Sequence, residues 1–163
     1  MKRLQIIILL AAFWGCDLGF ESPADPYHLA DYYPLTRTNA NGFILQMDHH
    51  QWSGIGHVGQ KSTDAIQEYY EENKSIGEAV MAPPFPNPAA VTVKIIAFPH
   101  YATSAHELSI TDSRGRVVFE IKYDRGFESP NIYFWNVQQT KSGLYKVIFQ
   151  AGSKQIYGNI VIE

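Results

Sequence analysis

The chain has 163 residues, enough for one compact domain or a small domain with a tail and too few for a large multidomain enzyme. Hydrophobic residues at 45% and charged residues at 18% exclude wholesale disorder. A formal charge of -3 and a pI near 6.0 offer no basic surface to neutralise phosphates, so nucleic acid is not an expected partner. The one cysteine, Cys16, rules out an intramolecular disulfide, a CxxC redox pair and a cysteine-rich zinc site. Ten Tyr and nine Phe suit β-structure better than helix.

Lys2 and Arg3 precede a nearly unbroken apolar run at 4–14, which ends at Gly15 and Cys16. The run is well short of the ~20 residues that a membrane-spanning helix needs. Residues 1–15 therefore read as a secretory signal peptide. A cysteine directly after a small residue at the end of such a run resembles the lipobox of bacterial lipoproteins, with Phe13 and Trp14 where that pattern has Leu and a small residue. The resemblance implies removal of the signal and acylation of Cys16. It also implies a protein lipid-anchored in the cell envelope, on the periplasmic or outer-surface side of a membrane, by several acyl chains, since one alone binds marginally. Loss of Lys2 and Arg3 would leave the mature chain more acidic.

Residues 16–81 read as a tether and an aromatic-rich segment. The stretch 17–26 (DLGFESPADP) has the composition of a linker. Residues 27–60 show no sustained period of two or 3.6, which predicts irregular structure with one short strand at 42–47. Tyr32, Tyr33 and Trp52, with Tyr69 further on, are the candidate partner-binding aromatics; packing against the following domain is the other use for them. A short helix is predicted near 63–74, with Ser62 or Thr63 as N-cap, Asp64 in the first turn, and Ile66, Tyr69 and Tyr70 as one apolar stripe. The proline-rich stretch 82–88 (APPFPNP) breaks regular structure and opens the last domain, 82–163.

Beyond it, segments rich in β-branched and aromatic residues alternate with turn signals, predicting strands at 91–98, 106–111, 117–122, 132–137, 144–150 and 155–162. In 106–111, Leu108 and Ile110 are expected to face the core, and His106, Ser109 and Thr111 the surface. Asp112-Ser113-Arg114-Gly115 is a hairpin connection, and Trp135 is large enough to be the central core residue. This density of short strands without a helix predicts an antiparallel Greek-key sandwich.

The ordered set Pro86-Asn87-Pro88, Leu108 to Val118 with its Asp112-x-x-Gly115 turn, Trp135-Asn136, Ser142-Gly143-Leu144-Tyr145 and terminal Ile160-Val161-Ile162 resembles the C-terminal Ig-like module related to the FlgD Ig-like domain. Members of that group at the C-terminus of secreted proteins serve as type IX secretion sorting domains in Bacteroidetes-type bacteria. The resemblance spans 83–163. It implies an all-β fold, an Ig-like antiparallel β-sandwich preceded by a signal peptide and a mostly irregular segment with one short helix. Sorting domains usually carry a basic residue just before the last apolar strand, where this chain has Gly158-Asn159.

Chemistry is sparse. Asp48-His49-His50 with His57 is the one cluster of metal-capable side chains in the sequence, but its H-H-x6-H spacing matches no standard zinc pattern and reads as exposed loop histidines. Gly54-x-Gly56-x-x-Gly59 has the form of a dinucleotide fingerprint without the preceding strand or βαβ unit that gives it meaning. Glu68, Glu71 and Glu72 read as a solvated face, and no GxSxG elbow occurs. His100 and His106 are expected at the surface. No cofactor is implied and no enzyme is expected. Two functions follow. The first is a non-catalytic envelope lipoprotein docking onto an envelope protein as accessory subunit of a membrane-bound complex; the alternative is a type IX secretion substrate. The segment ahead of the C-terminal module looks too small for a cargo with its own core, which favours the first.

Overall fold

The computed structural model describes residues 35–73, 78–99, 105–124 and 129–163. The predicted signal peptide, Cys16, the predicted linker, Tyr32, Tyr33 and His100 lie outside the described residues. The described chain begins with a small hairpin, β1 (Arg37–Thr38) and β2 (Ile44–Gln46), followed by a 3-10 turn at Trp52–Gly54 and one helix, α1 (Ser62–Asn73). Seven strands follow: β3 (Val80–Met81), β4 (Thr92–Phe98), β5 (His106–Thr111), β6 (Val117–Tyr123), β7 (Asn131–Asn136), β8 (Gly143–Ala151) and β9 (Lys154–Ile162). They form two antiparallel sheets, ordered β3-β4-β7 and β6-β5-β8-β9. This is the all-β sandwich that the strand spacing predicts.

The core lies between the sheets. Val93, Ile95 and Ala97 of β4, with Tyr133 and Trp135 of β7, meet Leu108 and Ile110 of β5, Val147 and Phe149 of β8, and Ile156 and Ile160 of β9. Trp135 sits edge-on to Tyr145, with ring centroids 5.6 Å apart, and the Tyr145 hydroxyl donates to Lys141 O at 2.7 Å. The Ser-Gly-Leu-Tyr motif thus sets a buried phenol against the central indole and gives its hydroxyl a partner.

A third layer covers the other face of the smaller sheet. Strand β4 announces it in sequence: Thr92 and Lys94 alternate with apolar neighbours, but Ile95-Ile96-Ala97-Phe98 does not alternate, and a strand written this way is buried on both faces. Ile96 and Phe98 pack outward against Ile55 and Ile66, with Val80, Ala82 and Phe85 in the same cluster. Tyr69 and Tyr70 of α1 close over it, Tyr70 standing edge-on to Phe98 at 4.9 Å. The predicted stripe of α1 is the face it buries. Its start differs from expectation, because Ser62 is inside the first turn: the amides of Asp64 and Ala65 donate to Lys61 O, and the buried Ser62 hydroxyl meets no hydrogen-bond partner among the described residues.

The β5–β6 hairpin is held by Asp112. Its Oδ1 accepts from the amides of Arg114 and Arg116, its Oδ2 takes the Arg116 guanidinium at 2.7 Å, and Gly115 takes the left-handed conformation (φ +77°) that closes the turn. The Arg116 amide, aided by its guanidinium and the Arg114 amide, holds the Asp112 carboxyl below its ordinary pKa. A lowered folded-state pKa contributes stability that is present above the unfolded value and is lost as pH falls through the folded one. Asp112→Asn should therefore lower the unfolding midpoint slightly at pH 7, with the difference from the native chain narrowing below pH 4; urea titrations at both pH values check this.

Residue His106, expected at the surface, is 4% exposed. It shares the parity of Leu108 and Ile110, so it points into the sandwich, stacked on Tyr123 with centroids 4.9 Å apart and with Nε2 3.3 Å from the Tyr133 hydroxyl. Burial pushes the Tyr133 phenol pKa up.

Candidate functional site

The last strand of the chain is where the upstream layer and the C-terminal module meet. Strand β9 lies at the edge of its sheet, and an edge leaves amides that need partners. Here upstream residues supply them. The Asn159 amide donates to Gln51 Oε1 at 2.7 Å, the Val161 amide to Asn87 Oδ1 at 3.0 Å, and the Glu163 amide to Ala89 O at 2.9 Å.

Asn87 is the hub of this junction. It is fully buried. Besides accepting from Val161, its Nδ2 donates to Thr36 O at 2.7 Å and to Asn159 O at 3.2 Å, while its backbone exchanges two hydrogen bonds with Thr38. One carboxamide thereby ties β9 to the segment entering β1. Only an amide offers a donor and an acceptor in this shape. Beside it, the Thr38 hydroxyl donates to Pro84 O at 2.6 Å. The proline-rich stretch that interrupts the sequence pattern is thus largely buried, with Pro84 and Asn87 hydrogen-bonded to the segment that forms β1.

Gln51 is positioned by Asp48, whose Oδ2 accepts from Gln51 Nε2 at 2.7 Å and whose Oδ1 accepts from the His50 amide at 3.0 Å. The next residues, Trp52 and Ser53, take positive φ values of 55° and 61°, a conformation that costs side-chain-bearing residues on the order of 1–3 kcal/mol each. The surroundings hold it: the Gly54 amide donates to Gln51 O, and Ser53 Oγ accepts from the Met81 amide. The turn drives the Trp52 indole into the main core, where it is 0% exposed and rests on Gly158 of β9. A Cβ at position 158 would lie 2.2–2.4 Å from three indole carbons, far inside van der Waals contact. Gly158→Ala should therefore cost about 2–3 kcal/mol in urea unfolding, in the overpacking range. It should be nearly neutral in a Trp52→Ala background, where the methyl enters vacated space.

This arrangement accounts for a glycine at 158, where the indole leaves no room for a side chain. Position 158 is taken up by the indole, and the backbone of 159 by Gln51 and Asn87.

Among the candidate binding aromatics, Trp52 faces inward and has no surface to offer a partner, while Tyr69 is half-buried against the outer cluster. The Trp52 Nε1 meets no acceptor among the described residues. His49, His50 and His57 are exposed, and no three metal-capable side chains among the described residues are grouped to hold an ion. Gly54, Gly56 and Gly59 lie in the loop leading to α1. On α1, Glu68 accepts from Gln60 Nε2 and Glu71 from Gln67 Nε2, while Glu72 is exposed. Sequence reasoning missed Asn87, Asp48 and Gln51 as structural keys. Asn87, set between two prolines, carried a signal, since a buried polar residue there needs partners on both sides.

Residues 84–163 match the family model of the secretion system C-terminal sorting domain. The match opens at Pro84 in the buried proline stretch and runs through β9, so the module similar to this family excludes the layer that packs on it. A sorting module implies an envelope or secreted protein. No helix among the described residues is long and apolar enough to cross a membrane. A search of curated proteins finds no match to the chain.

Proposed function

We propose that this chain is an exported, non-catalytic protein delivered to the cell exterior by a type IX secretion pathway, with the C-terminal sandwich as its sorting signal. The observation that carries this reading is the sorting-domain match over 84–163. The small size of the segment ahead of the module, which at first favours a docking subunit, loses its force: residues 35–73 are a layer of the same folded body and owe no separate core. The full chain, epitope-tagged, is expressed in a type IX-competent host and in the same host lacking the translocation pore, and surface exposure is read by protease accessibility. Exposure only in the competent host is expected. Retention inside both would overturn the reading.

A lipid anchor at Cys16 is the second element, supported by Lys2-Arg3, the apolar run at 4–14 and Gly15-Cys16. Mass analysis of the mature N-terminus should find acyl chains on Cys16; an unmodified N-terminus at another residue contradicts it.

A further inference from the structure

The sandwich has four sheet edges, and three are closed. Strand β3 is only two residues long, and β9 has its amides taken by Gln51, Asn87 and Ala89. Strand β6 is guarded by charge, with Lys122 between Glu120 at 3.0 Å and Glu107 at 3.4 Å, which disfavours pairing with another chain. Strand β7 is different. It pairs with β4 through six consecutive residues without a bulge, contains no charge and no proline, and its second edge has no strand partner among the described residues. Its outward side chains, Ile132 and Phe134, are 48% and 59% exposed.

We infer that β7 joins two copies of this chain, pairing antiparallel about a two-fold axis to make one continuous sheet, β3-β4-β7-β7′-β4′-β3′. The strand is complementary to itself. A two-fold axis at Tyr133 sets Ile132 opposite Phe134′ and Phe134 opposite Ile132′, so each exposed apolar side chain meets another, and no charged residue of β7 meets its own copy. The cation on the neighbouring strand β4 is Lys94, in register with Phe134 and drawn over the Phe85 ring at 5.5 Å. Three strand spacings separate it from its symmetry mate, roughly 14 Å, beyond the screening length at physiological salt. Among the described residues nothing ionic opposes the join, and two half-exposed apolar pairs favour it.

The test uses residues 16–163 with Cys16→Ser, expressed without the signal segment, so that neither acyl chains nor a thiol contribute to the association. Sedimentation equilibrium up to about 100 μM should show a reversible monomer–dimer equilibrium, as suits an interface of small area. Phe134→Lys should raise the dimer Kd about tenfold or more, two symmetry-related pairs being lost at once. Its circular dichroism and unfolding midpoint should stay unchanged, since the side chain is exposed. Adding Ile132→Glu to Phe134→Lys should recover association, because the axis places each new carboxylate opposite a new ammonium. A protein that stays monomeric throughout the range, a dimer indifferent to Phe134→Lys, or a double variant that does not recover would each overturn the inference.

Discussion

Replacing Trp52 by Ala is expected to lower the stability of the protein by about 3–5 kcal/mol, the range for deleting a buried aromatic side chain. Small domains are stable by roughly 5–15 kcal/mol in total, so this one change in the upstream segment should bring the whole sandwich near its unfolding threshold. The indole is 0% exposed among core residues of both sheets, and Gly158 supplies the surface it rests on. Trp52→Phe should cost far less, about 1–2 kcal/mol, because it keeps most of the apolar volume and removes an indole N–H that is buried without an acceptor among the described residues. Urea unfolding followed by far-ultraviolet circular dichroism measures both. Equal losses for Ala and Phe would mean that the indole is not packed as described.

Asn87→Ala is the second large effect, at about 3 kcal/mol. It leaves the Val161 amide and the Thr36 and Asn159 carbonyls without their buried partner, and an unpaired buried group costs on the order of 1–3 kcal/mol. Asn87→Asp separates geometry from charge. It retains an acceptor for the Val161 amide but turns a carboxylate oxygen toward two carbonyls, which penalises the charged form and raises the folded-state pKa of the new acid. A raised folded pKa means that stability relative to the unfolded chain improves as pH falls through it. Asn87→Asp should thus be less stable than Asn87→Ala at pH 7 and recover in acid, where the protonated oxygen can donate. Unfolding midpoints across pH 4 to 8 test that crossing, and parallel curves for the two variants would contradict it.

The sandwich was legible because its strands are written in the simplest code available to a half-buried sheet. In β8, Tyr145, Val147 and Phe149 face in while Lys146 and Gln150 face out, and Asp112 with Gly115 marks the hairpin. The helix was legible from Ile66, Tyr69 and Tyr70. The third layer was less so. Residues 35–60 approach the sandwich through isolated contacts, such as Thr36 to Asn87, Gln51 to Asn159 and Trp52 to Gly158, each spanning a long loop and none repeating at a period. Periodicity detects elements that repeat a face, and a segment pinned by single residues has no face to repeat. The non-alternating half of β4 was the available sign that something covers the smaller sheet. His106 faces inward for a plainer reason: it shares the parity of Leu108 and Ile110, and in a strand parity decides the face over polarity.

These contacts bear on how the matched module is built. Its boundary by similarity falls at residue 84, yet its last strand, its core and its outer sheet face are all completed by residues before 80. Among the described residues, the upstream layer and the matched module accordingly form one body. Hydrogen exchange resolved by segment, measured on the full chain through increasing denaturant, tests this most directly. Protection in α1 and in the β8–β9 hairpin should be lost together, in one transition at one denaturant concentration; α1 opening well before β8 and β9, with the hairpin still fully protected, would contradict it.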